Sequence, residues 1–114
     1  MKLRSYAQGE WFTSKSDGAD VRDASTGEII GQVSSEGLNF KEMLEYGRDV
    51  GGPVLRKMTF HERAIMLKDV GVALSKFKDE LYKVSYETGA TKGDTWIDVD
   101  GGISTFFVYS SKGR

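Results

Sequence analysis

The spacing of apolar residues changes once along this chain, at Ser35-Glu36-Gly37. Before that point, short apolar stretches are separated by glycine and small polar residues, which is typical of β-strands joined by tight turns. Beyond it, apolar residues recur mostly every three or four positions, which is the spacing of one face of an α-helix. The pattern predicts an α+β chain, with two N-terminal β-hairpins in residues 1–37 followed by three or four helices in residues 38–114.

Both hairpins are predicted from strand-like stretches on either side of a glycine-containing turn. Residues 3–7 and 11–13 flank Gln8-Gly9-Glu10, where glycine tolerates the positive φ that a tight turn needs. Residues 19–23 and 29–34 flank a second turn of the same kind. As an independent domain these elements look incomplete, because isolated two-stranded hairpins are marginally stable without a sheet or helix to cover them.

The first helical segment is predicted to begin near Leu38. We expect Gly51-Gly52-Pro53 to end it, because proline lacks the backbone N–H that a helix interior requires. This places the end of the segment well before the next start signal.

The clearest helix start is at Thr59, which stands three residues before Glu62 in the spacing of a capping box. A stripe of apolar residues follows and ends at Thr88-Gly89, where glycine suits a C-terminal cap. The stripe is long enough for two helices, and we expect the break near residues 76–78.

A final amphipathic segment covers residues 91–111 and carries a dense aromatic cluster in residues 96–109. Gly101 and Gly102 in its middle weaken the helix by about 1 kcal/mol each. We expect the cluster to be the core of a larger molecule rather than a surface that stacks on a ligand. In the isolated chain it should then face solvent or another copy.

The composition excludes several classes of function. With 16 basic and 17 acidic residues the formal net charge is -1, so no electrostatic attraction to nucleic acid or to an anionic membrane is expected. The chain has no cysteine and one histidine, which excludes a cysteine nucleophile, a disulfide scaffold and a zinc site built on several histidines. No apolar run approaches the roughly 20 residues of a membrane span and no signal peptide is recognisable, so the cytoplasm is the expected compartment.

One histidine and one group of aspartates are the candidate polar sites. His61 lies in the first turn of a predicted helix, where we interpret it as a surface or capping-region histidine rather than a catalytic base. Asp94, Asp98 and Asp100 precede Gly101 but do not fit a calcium loop, because the spacing of that loop would put a tryptophan at its first ligand position. We interpret these carboxylates as solvated side chains of a helix.

Four segments, in chain order, resemble aldehyde dehydrogenases. Residues 6–11 (YAQGEW) resemble the opening hairpin of that superfamily, and residues 23–33 (DASTGEIIGQV) resemble its N-P-A-T-G-E segment, with Asp and Ala where Asn-Pro is usual. Residues 63–67 (RAIML) and 87–89 (ETG) are similar to its R-x-x-x-L helix and to the E-x-G at the end of that helix. The resemblance implies that the chain is a partial piece of the aldehyde dehydrogenase cofactor-binding domain, and residues 1–114 form its incomplete N-terminal part.

A finer resemblance is to the bifunctional phenylacetate-degradation enzymes, carried by residues 34–38, 46–53, 59–64 and 96–102. It implies a parent enzyme that uses NADP, or NAD, to oxidise a ring-opened, CoA-linked semialdehyde to the acid. The family's cysteine nucleophile, glutamate base and Rossmann-type dinucleotide site have no counterparts here, since the chain has no cysteine and no G-x-G-x-x-G. We therefore expect no catalytic or cofactor-binding residue in this chain, and a non-catalytic fragment whose partner is the remainder of the parent.

The resemblance also implies one candidate metal site. Some members of the superfamily hold a structural monovalent cation, and alignment assigns its ligands to the Asp98 carboxylate and to backbone carbonyls of Val21 and Arg22. Hard cations prefer such oxygen ligands. The altered Asn-Pro motif lies next to these carbonyls.

A different class of function stays open. The chain could be a stand-alone interaction module that forms a homodimer, with hairpins at one end and an aromatic helix at the other available for exchange between copies. A reading frame that continues into a cysteine-containing segment would favour the dehydrogenase fragment, and a stop codon would favour the homodimer.

Overall fold

The computed structural model describes residues 1–113, so Arg114, the last residue of the predicted helical part, lies outside them. Contacts divide the chain into two compact units, the first Met1–Val54 and the second beginning at Leu55. None of the helices within residues 1–113 is long and apolar enough to cross a lipid bilayer. The predicted α+β class is confirmed, with two antiparallel hairpins followed by four helical segments in the described residues.

The first hairpin joins β1 (Ser5–Ala7) to β2 (Glu10–Phe12). Its two-residue turn has φ of 53° at Gln8 and 83° at Gly9, the mirror-image turn whose twist matches that of paired strands. Glu10, predicted in the turn, is therefore the first residue of the second strand. The prediction of a hairpin here is confirmed.

The second hairpin joins β3 (Ala19–Arg22) to β4 (Ile29–Val33), also antiparallel. The Asp23 carboxylate accepts hydrogen bonds from the backbone N–H groups of Ser25 and Thr26 at 2.7 and 2.9 Å, which closes the turn. These hydrogen bonds lower the pKa of Asp23.

The first helical segment begins with α1 (Phe40–Tyr46), where the Asn39 side chain caps the helix by accepting from the Glu42 N–H. It continues through a π-helical turn (Gly47–Gly51) into α2 (Gly52–Lys57). The prediction that residues 51–53 end this segment is wrong.

Pro53 is compatible with helix here because of its position. It is the second residue of α2 and directly follows the π-helical turn, where the regular hydrogen-bond ladder of the helix is already interrupted. The wide turn before it ends with the Gly52 N–H donating to the Gly47 carbonyl, five residues back. The helix therefore widens rather than stops.

In the second unit, α3 (Phe60–Ser75) begins at the predicted capping box, in which Thr59 and Glu62 satisfy each other's backbone N–H groups. Those hydrogen bonds lower the pKa of Glu62. The helix gives way to α4 (Lys78–Glu87), which confirms the predicted break, and Gly89 with φ of 84° follows its end.

The last helical segment is continuous from residue 92 to residue 112. It consists of α5 (Lys92–Thr95), a second π-helical turn (Trp96–Asp100) and α6 (Gly101–Lys112). A second capping box, between Thr91 and Asp94, starts it. The paired glycines that open α6 leave it helical, so the predicted helix over residues 91–111 is confirmed.

The apolar core of the described residues is small, and its buried apolar side chains are those of Ala64 and Ile103. The chain exposes 8570 Å² of surface. A compact protein of this length exposes about 6,200 Å², and two separate compact proteins of half the length together expose about 7,500 Å². However the two units are arranged, they therefore leave more surface uncovered than self-contained domains do.

Candidate functional site: an apolar groove between α3 and α6

The second unit contains an open groove of about 430 Å³ between α3 and α6. Its lining is almost wholly apolar and consists of Leu67, Gly102, Thr105, Phe106 and Tyr109. Leu67 and Phe106 are half-buried, whereas Tyr109 remains 63% exposed at the rim. A concave apolar surface of this kind is where a protein binds an apolar partner or ligand.

Close packing of α6 against α3 holds the groove in place. A Cβ added to Gly71 would lie 3.0 Å from Cζ of Phe107 and 3.3 Å from Cβ of Phe106, so only glycine lets the helices approach this far. Ala64 and Ile103, both buried, belong to the same pair of helices. The sequence thereby fixes one side of α6 against α3 and leaves the neighbouring side open.

The hollow itself exists because two small residues stand where larger side chains would fill it. A Cβ added to Gly102 would meet no atom within 4 Å. Thr105, three residues further along the same face of α6, is exposed, and its hydroxyl donates to the Gly101 carbonyl at 3.0 Å. The α6 side of the groove is therefore short of side-chain atoms at these two positions.

A polar cluster of Lys78, Tyr82 and Asp100 ties α4 to the residue that precedes α6. Lys78 and Tyr82 lie one turn apart on α4, and both donate hydrogen bonds to the Asp100 carboxylate. The bonds from Lys78 and then from Tyr82 hold the pKa of Asp100 below its usual value. The bond to Asp100 raises the pKa of Tyr82 to about 12.

A second tie joins α4 to α5 in the interior of this unit. The hydroxyls of Ser85 and Thr95 are 3.0 Å apart and both residues are buried, with Thr95 fully inaccessible. One hydroxyl donates to the other, so each of these buried polar groups has the hydrogen-bond partner that burial requires. Together with the Asp100 cluster, this hydrogen bond sets the position from which α6 begins.

Comparison with known proteins decides the family. A scan of known families finds no family model that matches the chain. Among curated proteins, the chain is 37% identical, over an alignment of 115 positions that covers its whole length, to a 3,4-dehydroadipyl-CoA semialdehyde dehydrogenase of Aromatoleum evansii. It is also 30% identical, over an alignment of 107 positions that covers 90% of its length, to a malonate-semialdehyde dehydrogenase of Bacillus subtilis (strain 168). This chain belongs to the aldehyde dehydrogenase superfamily.

The match covers only part of each dehydrogenase. The chain spans 22% of the Aromatoleum protein and 21% of the Bacillus protein, about a fifth of the length of the relatives that it matches. The superfamily resemblance inferred from the sequence is confirmed. The first of these relatives is named for a CoA-linked semialdehyde, in agreement with the finer resemblance.

The residues assigned to the family's cation site lie in different units. Val21 and Arg22 lie on β3 in the first unit, and the β3–β4 register shifts between these two residues. Asp98 is exposed on the second π-helical turn, in the second unit. Within residues 1–113 no group of three or more histidine, aspartate or glutamate side chains is arranged to hold a metal. Two of the three candidate ligands here are backbone carbonyls, which that finding does not concern. The cation site stays a prediction.

His61 is exposed in the first turn of α3, as expected of a surface histidine in this aldehyde dehydrogenase segment. The interpretation of Asp100 as a solvated carboxylate is wrong, because its side chain is only 20% exposed and accepts hydrogen bonds from Tyr82 and Lys78, which lie 18 and 22 residues before it in the chain. Sequence reasoning also missed the capping box at Thr91, although the T-x-x-D spacing there was a visible signal.

Proposed function

We propose that this chain is a non-catalytic scaffold segment of an NAD(P)-dependent aldehyde dehydrogenase whose complete form oxidises a CoA-linked semialdehyde to the acid. One observation carries the proposal: the chain aligns over its whole length with a semialdehyde dehydrogenase while spanning 22% of it. The substrate class comes from the name of that relative and the cofactor from the family resemblance.

The chemistry of the reaction assigns its reactive groups to other parts of the enzyme. Oxidising an aldehyde through a covalent intermediate requires a nucleophile, which in this superfamily is a cysteine thiolate, and an acceptor for hydride, which is the nicotinamide cofactor. The chain contains no cysteine and no dinucleotide-binding fingerprint. What it contributes is rigid, capped helices and an apolar surface.

The exposed apolar surface supports a role inside a larger molecule. Large apolar side chains that are at least half exposed in the second unit include Phe60, Phe77, Val84, Trp96, Ile97, Val108 and Tyr109. Monomeric proteins seldom expose contiguous apolar patches beyond a few hundred Å². Burial against the rest of a dehydrogenase would remove such residues from water.

We also propose that the complete enzyme holds a structural monovalent cation through the Asp98 carboxylate and the carbonyls of Val21 and Arg22. These oxygen donors suit a hard cation, and the register shift at Val21 and Arg22 alters the strand pairing there. Comparison of the complete enzyme in potassium, sodium and tetramethylammonium buffers tests it. A melting temperature that depends on the cation, and that loses this dependence in Asp98→Asn, is the expected result; an equal dependence in Asp98→Asn argues against the site.

A chimera tests the main proposal. The 114 residues of this chain would replace the matched segment of the Aromatoleum dehydrogenase, and NAD(P)H formation would be followed with the semialdehyde of that enzyme. We expect turnover by the chimera and none by the chain alone. A soluble, folded chimera without turnover would contradict the proposed role.

The alternative function is a stand-alone module that forms a homodimer, and the same exposed apolar residues favour it. It predicts that the chain alone forms one species of defined size with a cooperative melt. The scaffold role predicts association that lacks a defined end-point until the rest of the dehydrogenase is supplied.

A further inference from the structure

We propose that the groove between α3 and α6 is a docking surface for the polypeptide that completes the dehydrogenase, and that an apolar, uncharged ridge of that polypeptide fills it. This inference rests on the proposed function and adds the place and the chemistry of the contact. The groove is lined by Leu67, Gly102, Thr105, Phe106 and Tyr109.

The lining is suited to complete burial. Residues 101–111 contain no charged side chain, so covering the α6 side of the groove strips water from no ion. The Thr105 hydroxyl already donates to the Gly101 carbonyl and stays satisfied when water leaves. Apart from the hydroxyl of Tyr109 at the exposed rim, an apolar occupant therefore meets no uncompensated polar side chain, whereas a charged one would lose its hydration without gaining a partner.

The apolar surface continues beyond the groove along α3. Val70 lies one turn beyond Leu67 on the same side of the helix and is 39% exposed, and Met66 lies one turn before Val70 and is 38% exposed. The docking surface is thus wider than one side chain and extends along more than one helical turn, as expected for contact with an ordered element rather than with a small ligand.

The length of the related dehydrogenases and the hollow shape of the groove both indicate what fills it. Roughly four-fifths of each related dehydrogenase lies outside the part that this chain matches, so the family supplies a large body of chain to cover the groove. A second copy would have to supply its ridge from the same patch of surface, because a two-fold contact uses one patch on both partners. A protruding ridge from a different segment fills the hollow, in the way that helices pack ridges into grooves.

Two neighbouring glycines provide a matched pair of variants. Gly102 lines the groove and Gly101 does not, and a Cβ at either position meets no atom within 4 Å. Both lie in α6 with negative φ, so Gly102→Leu and Gly101→Leu should fold equally well and gain the same helix propensity. Because only Gly102 lines the groove, we expect Gly102→Leu to occupy part of it and Gly101→Leu to leave it open.

The binding test uses the Aromatoleum dehydrogenase without its 115 matched residues, titrated with this chain. We expect Gly102→Leu to weaken binding about tenfold or more through overpacking, and Gly101→Leu to bind like the unaltered chain. Equal binding by both variants would overturn the docking surface and leave the proposed function standing. Failure of the unaltered chain to bind, where the relative's own matched segment binds, would remove the proposed function as well.

Two further outcomes are decisive. If the truncated relative does not fold, the same substitutions in the single-chain chimera are compared by melting temperature. A lower melting temperature for Gly102→Leu than for Gly101→Leu supports docking at the groove, and equal melting temperatures contradict it.

If the chain alone forms a dimer that Gly102→Leu dissociates and that the truncated relative does not displace, the occupant is a second copy and the proposal is wrong.

Discussion

The Tyr82 hydroxyl donates a hydrogen bond to the Asp100 carboxylate, which also pairs with the Lys78 ammonium. The three residues join α4 to the end of the π-helical turn that leads into α6. Since α6 forms one wall of the groove, this cluster helps to set the position of the candidate docking surface. Because the pKa values of Tyr82 and Asp100 are shifted, we expect the stability of this contact to depend on pH.

Acid is expected to lower the stability of the chain by protonating Asp100. The pKa of Asp100 is lower in the folded chain than in the unfolded chain, so its contribution to stability is present above the unfolded value, near 4, and is lost as pH falls through the folded value. We expect the melting temperature to fall on acidification through this range. In Asp100→Asn the fall should be smaller; an unchanged acid profile would show that the cluster does not contribute.

At alkaline pH the same cluster loses its contribution to stability as the pH rises. The pKa of Tyr82 is raised to about 12 in the folded chain, so its contribution is present below the unfolded value of 10.0 and is lost as pH rises towards 12. Tyr82→Phe removes this titration while keeping the ring. Melting curves of the variant between pH 9 and 12 should therefore be flatter than those of the unaltered chain.

The second prediction concerns the contact between α3 and α6. Gly71→Ala places a Cβ 3.0 Å from the Phe107 ring, whereas Gly102→Ala meets open space. Both substitutions gain about 1 kcal/mol of helix propensity, but only the first also overpacks the interface. We expect Gly71→Ala to be about 1 to 2 kcal/mol less stable than Gly102→Ala by urea denaturation. Equal stabilities would mean that the helices do not pack as closely as described.

The third prediction concerns the buried hydroxyl pair. Thr95→Val leaves the Ser85 hydroxyl buried without its partner and should cost about 1 to 3 kcal/mol in the free energy of unfolding. Adding Ser85→Ala removes the orphaned group, so the double variant should be more stable than additive losses predict. Strict additivity would show that the two hydroxyls are not coupled.

The fourth prediction concerns association of the chain alone. Trp96 and Ile97 are 60% and 66% exposed and lie outside the groove. We expect the purified chain to elute as dimers and larger species without one defined size, and replacing both residues with serine to shift it towards monomer. A monodisperse monomer with a cooperative melt would contradict the view that the chain leaves apolar surface to be covered by other protein.

Local signals in the sequence predict the elements that depend on neighbouring residues. The hairpin at Gln8 and Gly9, the capping box at Thr59 and the glycine that follows α4 each depend on residues within a few positions of one another. The prediction at Pro53 was wrong because proline was interpreted as a helix terminator, although a π-helical turn directly before it lets the helix continue.

The candidate site was less accessible to sequence reasoning. The groove depends on α6 lying beside α3, and the Asp100 cluster joins residues that are about 20 positions apart. No spacing rule within one element predicts such contacts, because they are set by the packing of helices that the sequence alone does not orient. The aromatic character of residues 96–109 was the available clue, and it indicated a surface that needs a partner.

The central claim is that this chain supplies scaffold and no cofactor site of its own. Calorimetric titration of NAD and NADP into the isolated 114-residue chain, and into the chimera with the Aromatoleum dehydrogenase, tests it most directly. We expect no saturable heat when NAD or NADP is titrated into the isolated chain, and saturable binding of the nucleotide by the chimera. Saturable nucleotide binding by the isolated chain, accompanied by oxidation of an aldehyde, would contradict it.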